Sequence, residues 1–186
     1  MIKEIQIKQC AAQDRTAQKE IYEQLYGKML SVCKRYVSDE ETAKDLVNMG
    51  FVKVFKSIDK FSFKGSFEGW VRRIMVNISL DQLKDTKMRN HLFLRIEDVE
   101  EETNSYEYNE AIDKLHINDL LVLINSLSPI SKAVFNMYVI DGYSHKEIAE
   151  ELNISVGTSK WHVSTARKYL QAEIDKQHGT MIRRIV

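Results

Sequence analysis

The fold is decided by one stretch near the C-terminus, residues 144–168, which reads SHKEIAEELNISVGTSKWHVSTARK. Ser144 is followed three residues later by Glu147, the pattern of a capping box, which opens a helix by satisfying its first free amides. The pair Asn153-Ile154 predicts a tight turn, and Ser155 predicts the N-cap of a second helix. Two short helices around a tight turn are typical of a helix-turn-helix, a motif that reads DNA.

The second of these helices is predicted to continue to about Leu170 and to have two unlike faces. At about 100° per residue, one face collects apolar and small residues: Val156, Ser159, Val163, Ala166 and Leu170. The opposite face and its flanks carry Ser155, Thr158, Lys160, Trp161, His162, Ser164, Thr165, Arg167 and Lys168. Hydroxyls can bond base edges and cations neutralise phosphates, so we predict this face to be the DNA-binding one. Trp161 suits contact with a thymine methyl or packing against another protein surface, and both remain open.

Composition favours an all-α fold. The 186 residues include 7 Gly and 1 Pro, so turn formers are scarce. Hydrophobic spacing predicts further helices at about 17–36, 41–58, 67–87, 111–125 and 129–141, the second of them capped by Ser38 and the third by Ser66. No apolar run is long enough to span a membrane. Cys10 and Cys33 have no metal-binding spacing, and we interpret them as reduced thiols of a cytoplasmic protein.

The formal net charge of zero is an average over unlike segments. Residues 1–90 carry 17 Lys and Arg against 12 Asp and Glu, residues 91–120 carry 2 against 9, and residues 121–186 carry 8 against 6. We therefore predict two small helical domains, at 1–90 and 121–178, joined by a flexible acidic linker at 91–120 and followed by a C-terminal tail at 179–186.

A second candidate for nucleic-acid binding lies in the N-terminal half. The loop Phe61–Phe67 interleaves aromatic rings with a cation, a combination that suits stacking on unpaired bases, and its candidate contacts are Phe63, Lys64 and Ser66. Behind it, four polar residues at spacings of three and four share one helical face: Arg73, Asn77, Asp81 and Lys84. Trp70 is expected in the core, whereas Phe63 could be core or surface.

Two strings resemble the bacterial RNA polymerase sigma factors of the sigma-70 family. Residues 45–61, DLVNMGFVKVFKSIDKF, resemble region 2.2, and residues 144–168 resemble region 4.2. Their separation is similar to that in the extracytoplasmic-function group, which keeps only regions 2 and 4 and joins them by a linker. The string at 144–168 is the more specific of the two, because Ser-Val-Gly-Thr followed by Ala-Arg-Lys in this register is typical of the group.

This resemblance implies a dissociable subunit of RNA polymerase that is not an enzyme and uses no cofactor, metal or small-molecule substrate. Region 2 would bind the clamp helices of the polymerase and melt the minus-10 element, and region 4 would bind the flap and the minus-35 element. By position, the resemblance assigns the polymerase contact to Asp45, Leu46, Asn48 and Met49. It also implies an anti-sigma partner, and an acidic linker that lies in the RNA path.

The chain departs from the family pattern at three places. Asn48-Met49 stand where Gln-Glu is usual, Trp161 replaces a small or polar residue, and Thr165 often corresponds to Arg. The promoter preference is therefore not carried over. The alternatives are a stand-alone helix-turn-helix regulator with a ligand-sensing N-terminal half, an interaction protein with a vestigial motif, and an enzyme. The enzyme reading is disfavoured because no catalytic triad, phosphate loop or paired-Cys site appears.

Overall fold

The protein is built of helices. The computed structural model describes residues 2–90 and 117–185. The helices are α1 (Glu4–Ala11), α2 (Arg15–Lys34), α3 (Glu40–Ser57), α4 (Phe67–Asn90), α5 (Ile117–Asn125), α6 (Pro129–Phe135), α7 (His145–Leu152) and α8 (Val156–Ile185). A short 3-10 turn follows α3 at Ile58–Lys60, and one π turn follows α6 at Asn136–Ile140. No strand occurs in these two ranges, and the expected all-α class is confirmed.

Chain contacts group the protein into two units, residues 1–93 and 94–186, here called the first and second units. The linker predicted at 91–120 remains a prediction over residues 91–116, which lie outside the described residues, whereas residues 117–120 belong to α5. The second unit ends differently from the prediction. Helix α8 continues to Ile185 instead of stopping near Leu170, so all but the last of the residues expected as a tail extend the helix.

Side-chain caps start the helices of the first unit. One carboxylate oxygen of Asp14 accepts hydrogen bonds from the amides of Thr16 (2.8 Å) and Ala17 (3.1 Å) at the start of α2. The cap of α3 is Asp39, which accepts from the Thr42 amide at 2.7 Å, and not Ser38 as predicted. A carboxylate is the stronger acceptor for amides at the positive end of a helix dipole, which favours the aspartate of two adjacent candidates.

The core of the first unit forms where α3 packs against both α2 and α4. Ile21, Met29, Val47, Phe51 and Met75 are all at most 2% exposed there. The helices approach closely at Gly50, because a Cβ on this residue would lie 2.7 Å from Met75 Cε and closer still to its sulfur. Helix α1, which hydrophobic spacing does not predict, packs on α2 through Ile7 and Cys10.

The second unit is built around α8, against which α5, α6 and α7 pack. Ser128 caps α6, with Pro129 in its first turn, as predicted. Ser144 and Glu147 form the predicted capping box of α7. Asn153 then adopts a left-handed conformation (φ 53°), which asparagine tolerates better than most residues. This single residue ends α7, and the chain turns directly into α8.

Candidate nucleic-acid interface

The helix-turn-helix is held by a polar contact between its two helices. His145, the first residue of α7, shares a hydrogen bond of 3.0 Å between its Nδ1 and Oγ of the buried Ser159 on α8. The ring of His145 also stacks on Tyr138 at 4.2 Å between centroids, and the guanidinium of Arg167 lies 5.9 Å from the Tyr138 ring centre. Burial, together with the charges of Lys160 and Arg167, lowers the pKa of His145 and so favours the neutral form of its ring.

The predicted DNA-binding face of α8 is accessible at most positions. Lys160, Arg167 and Lys168 are exposed, and four more side chains are half-buried: Thr158, Trp161, Ser164 and Thr165. Ser155 caps the helix, because its Oγ accepts from the Thr158 amide at 2.9 Å and also contacts the Thr158 hydroxyl at 2.9 Å. The cations of this face therefore stand clear of the core, whereas both hydroxyls at its start already take part in the cap.

His162 does not belong to this face, which corrects the sequence prediction. Its side chain is 3% exposed, and its Nδ1 shares a hydrogen bond of 3.0 Å with Oγ of Ser131 on α6. Ser128 Oγ in turn donates to Ser131 Oγ at 3.0 Å, so the polar link reaches the cap of α6. A partly polar ring is stable inside a core when such a partner is present. His162 therefore joins α8 to α6, and its buried ring is not part of the accessible face.

The prediction for Val156 is also wrong, because this residue is exposed and not buried. It was expected on the buried face of α8 but is 42% exposed. Val156 is the first residue of the helix, ahead of the turns whose residues Val163, Ala166 and Leu170 are buried as predicted. The start of α8 therefore presents an apolar side chain beside the exposed cap Ser155.

In the loop before α4, one aromatic ring is exposed and two are buried. Phe61 and Phe67 are 7% and 6% exposed, whereas Phe63 is 46% exposed. Phe63 has a φ of 59°, a left-handed conformation that is rare for a bulky residue and costs of order 1–3 kcal/mol. Its ring lies 5.0 Å from that of Phe61. Trp70, expected in the core, is half-buried and contacts the rings of both Phe61 and Phe67.

The cationic and polar residues around this loop are also accessible. Lys64, Ser66, Arg73 and Asp81 are exposed, and Asn77 and Lys84 are half-buried. Ser66 Oγ accepts from the Gly69 amide at 3.3 Å and so caps α4 as predicted. Lys84 pairs with Asp81 at 3.6 Å on the exposed helix face. The loop and this face of α4 thus offer one exposed ring and several charges to a ligand.

The predicted polymerase contact on α3 needs one correction. Asp45, Asn48 and Met49 are exposed, but Leu46 is 2% exposed and belongs to the core between the helices. Sequence reasoning missed Val52, which is 53% exposed one turn beyond Met49, itself 60% exposed. The spacing of three residues between these two apolar side chains was the available signal. The Tyr22 hydroxyl donates to Asn48 Oδ1 at 3.0 Å and extends this surface onto α2.

Two kinds of site are absent from the part of the chain that the structure describes. No group of three or more His, Cys, Asp or Glu side chains there is arranged to hold a metal ion. None of the described helices is long and apolar enough to cross a membrane.

A helix-turn-helix unit and a second helical unit with an exposed aromatic, cationic loop define a two-part nucleic-acid-binding protein. Residues 21–89 match the family described as Sigma-70 region 2, and residues 117–170 match Sigma-70, region 4. The chain therefore belongs to the sigma-70 family of transcription initiation factors, within its extracytoplasmic-function (ECF) group.

Individual relatives match most of the chain. The ECF RNA polymerase sigma factor SigW of Bacillus subtilis is 27% identical over 182 residues, covering 94% of this chain and 97% of that protein. The ECF RNA polymerase sigma-E factor of Escherichia coli (strain K12) is 26% identical over 168 residues, with 84% of each chain covered. The sigma factor RpoE from Bartonella quintana, solved with the anti-sigma factor NepR, shares the fold with a TM-score of 0.52, at 22% identity over 85% of this chain and 96% of that one.

Proposed function

We propose that this sigma factor directs core RNA polymerase to promoters by dividing the work between its two units. The second unit docks duplex DNA at the minus-35 element, and the first unit captures unpaired bases at the minus-10 element. The observation that carries this proposal is that each unit has its own exposed binding feature. The first unit has the exposed, strained Phe63, and the second unit has the exposed cationic face of α8. The protein itself catalyses no reaction, and because its partners are polymerase and chromosomal DNA, we place its action in the cytoplasm.

In the second unit, we assign the backbone contacts to Lys160, Arg167 and Lys168, which are exposed. Cations of this kind hold the protein on the duplex without reading sequence. Base contacts fall to the half-buried Thr158, Trp161, Ser164 and Thr165, and Trp161 is suited to an apolar contact with a thymine methyl. Because α8 is fixed to α7 and α6 by the His145 and His162 contacts, the whole face is presented as a rigid surface.

In the first unit, we assign base capture to the loop and strand contacts to α4. An aromatic face that is already exposed and held by Phe61 can stack on a base without first unfolding. Lys64, Arg73, Asn77 and Lys84 lie around or behind it and suit the phosphates of a separated strand. We assign the polymerase contact to the surface formed by Asn48, Met49 and Val52, since exposed apolar side chains on a helix favour burial against a partner.

We also propose that an anti-sigma factor binds this chain, as one binds the Bartonella quintana relative. Each small unit is expected to bind DNA only weakly by itself. The factor therefore depends on polymerase to present both units together, because the first contact raises the effective concentration for the second. A protein that covers the exposed surface of either unit would therefore abolish promoter binding.

Transcription in vitro tests the central proposal. Core polymerase with the protein should start at new, mapped sites on genomic templates, and core polymerase alone should not. The purified protein without polymerase should bind the same promoter duplex weakly. Tight, specific duplex binding by the free protein would instead support a stand-alone regulator, and the absence of new start sites would refute promoter direction.

Lys168→Ala should weaken binding of the holoenzyme to its promoter and make that binding less sensitive to salt. If Lys168 neutralises one phosphate, the slope of log K against log salt becomes shallower by about 0.9. The matched control is Lys176→Ala, two turns further along α8, where the ammonium pairs with Glu173 at 2.6 Å. Filter binding or fluorescence anisotropy over a salt series measures both slopes. Equal slopes for the two variants would exclude Lys168 as a phosphate contact.

A further inference from the structure

An open groove of about 560 Å³ lies in the first unit beside the exposed ring of Phe63. Its volume falls within the range of about 300–1,000 Å³ that ligand sites usually have. The apolar side chains of Leu25, Phe61 and Phe67 are among its lining residues, and all three are largely buried. The groove therefore has an aromatic and aliphatic surface next to the loop to which base capture is assigned.

Helix α1 and the residues just before it form the other side of this groove. Ile2, Glu4 and Ile7 line it, and the ammonium of Lys8 lies 5.9 Å from the centre of the Phe63 ring. That distance is within reach of a cation–π interaction. The match to Sigma-70 region 2 begins at residue 21, so it assigns no role to α1.

Two ion pairs balance the charge at the groove. Both carboxylates that line it are already paired, Glu4 with Lys8 at 2.6 Å and Glu68 with Lys28 at 2.6 Å. The pair of Lys8 and Glu4 is exposed, and such pairs contribute little to stability, so an approaching phosphate can replace Glu4 as the partner of Lys8. Lys8 can therefore lie over the ring of Phe63 and neutralise a phosphate at the same time.

We propose that α1 forms one wall of a nucleotide site, in which an unpaired base of the promoter strand stacks on Phe63 while its phosphate meets Lys8. The proposal rests on the base capture assigned to the first unit and extends it to a helix outside the matched family region. Lys8 is then a binding residue for the single strand, and Ile2 and Ile7 limit the size of the base that the groove accepts.

Binding of the holoenzyme to forked promoter DNA tests this site, with a promoter taken from the mapped start sites and the minus-10 strand left unpaired. Lys8→Ala should weaken binding about 3- to 10-fold and make the salt slope shallower by about 0.7, the value for one phosphate of a single strand. Lys8→Arg should keep the affinity and the salt slope of the wild type, because it keeps the cation. The control is Lys19→Ala, which removes an exposed lysine from the side of α2 opposite Lys28.

The outcomes separate this inference from the proposed function. If wild-type holoenzyme failed to prefer forked DNA over blunt duplex, base capture itself would be wrong. If wild-type holoenzyme showed that preference but Lys8→Ala matched Lys19→Ala in affinity and slope, α1 would have no part in the site. Lys8→Ala should leave binding to a duplex that ends upstream of the minus-10 element unchanged, and a loss there would also contradict the proposal.

Discussion

Phe63→Ala is expected to reduce promoter opening by the holoenzyme about 10- to 100-fold. The reason is the loss of one stacked base, which contributes about 1–3 kcal/mol to binding of a single strand. Phe63 is 46% exposed, so its removal leaves the core of the first unit intact. Permanganate reactivity of unpaired thymines at the minus-10 element, measured against holoenzyme concentration, reports the effect directly.

A second substitution at the same position separates the ring from the backbone. Phe63→Gly removes the same ring but relieves the left-handed conformation at φ 59°, whose cost to a residue with a Cβ is about 1–3 kcal/mol. The glycine variant should therefore be more stable to heat than the alanine variant and equally defective in opening. Phe63→Trp keeps a stacking surface and should retain most activity. Full activity of both Phe63→Ala and Phe63→Gly would show that the Phe63 ring has no part in promoter opening.

Gly50→Ala is expected to destabilise the first unit by about 1–3 kcal/mol, because the added Cβ overpacks the contact between α3 and α4. It would meet the side chain of Met75, which is fully buried and has little room to move. In a domain of this size each kcal/mol lowers the melting temperature by about 4–8 °C. Thermal unfolding followed by circular dichroism measures the shift.

The matched control has the opposite expected sign. Gly27 also lies within a helix, but a Cβ there would have nothing within 4 Å. Gly27→Ala should therefore stabilise the unit by about 0.5–1 kcal/mol through the lower backbone entropy of the unfolded chain. In the double variant Gly50→Ala with Met75→Ala, the two costs should be less than additive, since the smaller side chain makes space. Strict additivity would show that the two residues do not meet.

Local chemistry explains why much of the fold could be predicted. The caps Ser66, Ser128, Ser144 and Ser155 each accept from the amide three residues later, so the sequence contains both partners within one turn. Asp39 shows the limit of this reasoning, since Ser38 and Asp39 stand side by side and the choice between them depends on acceptor strength.

The errors at the site come from contacts between distant segments. His162 looks surface-exposed on a helical wheel, but its partner Ser131 lies 31 residues earlier and allows the ring to be buried. Leu46 has the sequence position of a polymerase contact, whereas the packing of α3 on its two neighbours covers it. The left-handed Phe63 and the groove beside α1 also depend on tertiary packing, which spacing alone does not encode.

The division into two units, residues 1–93 and 94–186, has a consequence for biosynthesis. Helical units whose contacts are local in sequence fold in microseconds to milliseconds. Translation proceeds at about 5–20 residues per second, so the second unit takes about 5–20 s to make once the first is complete. The surface formed by Asn48, Met49 and Val52 can therefore fold on the nascent chain before α8 has been made, so partners of this surface can bind the factor while it is still on the ribosome.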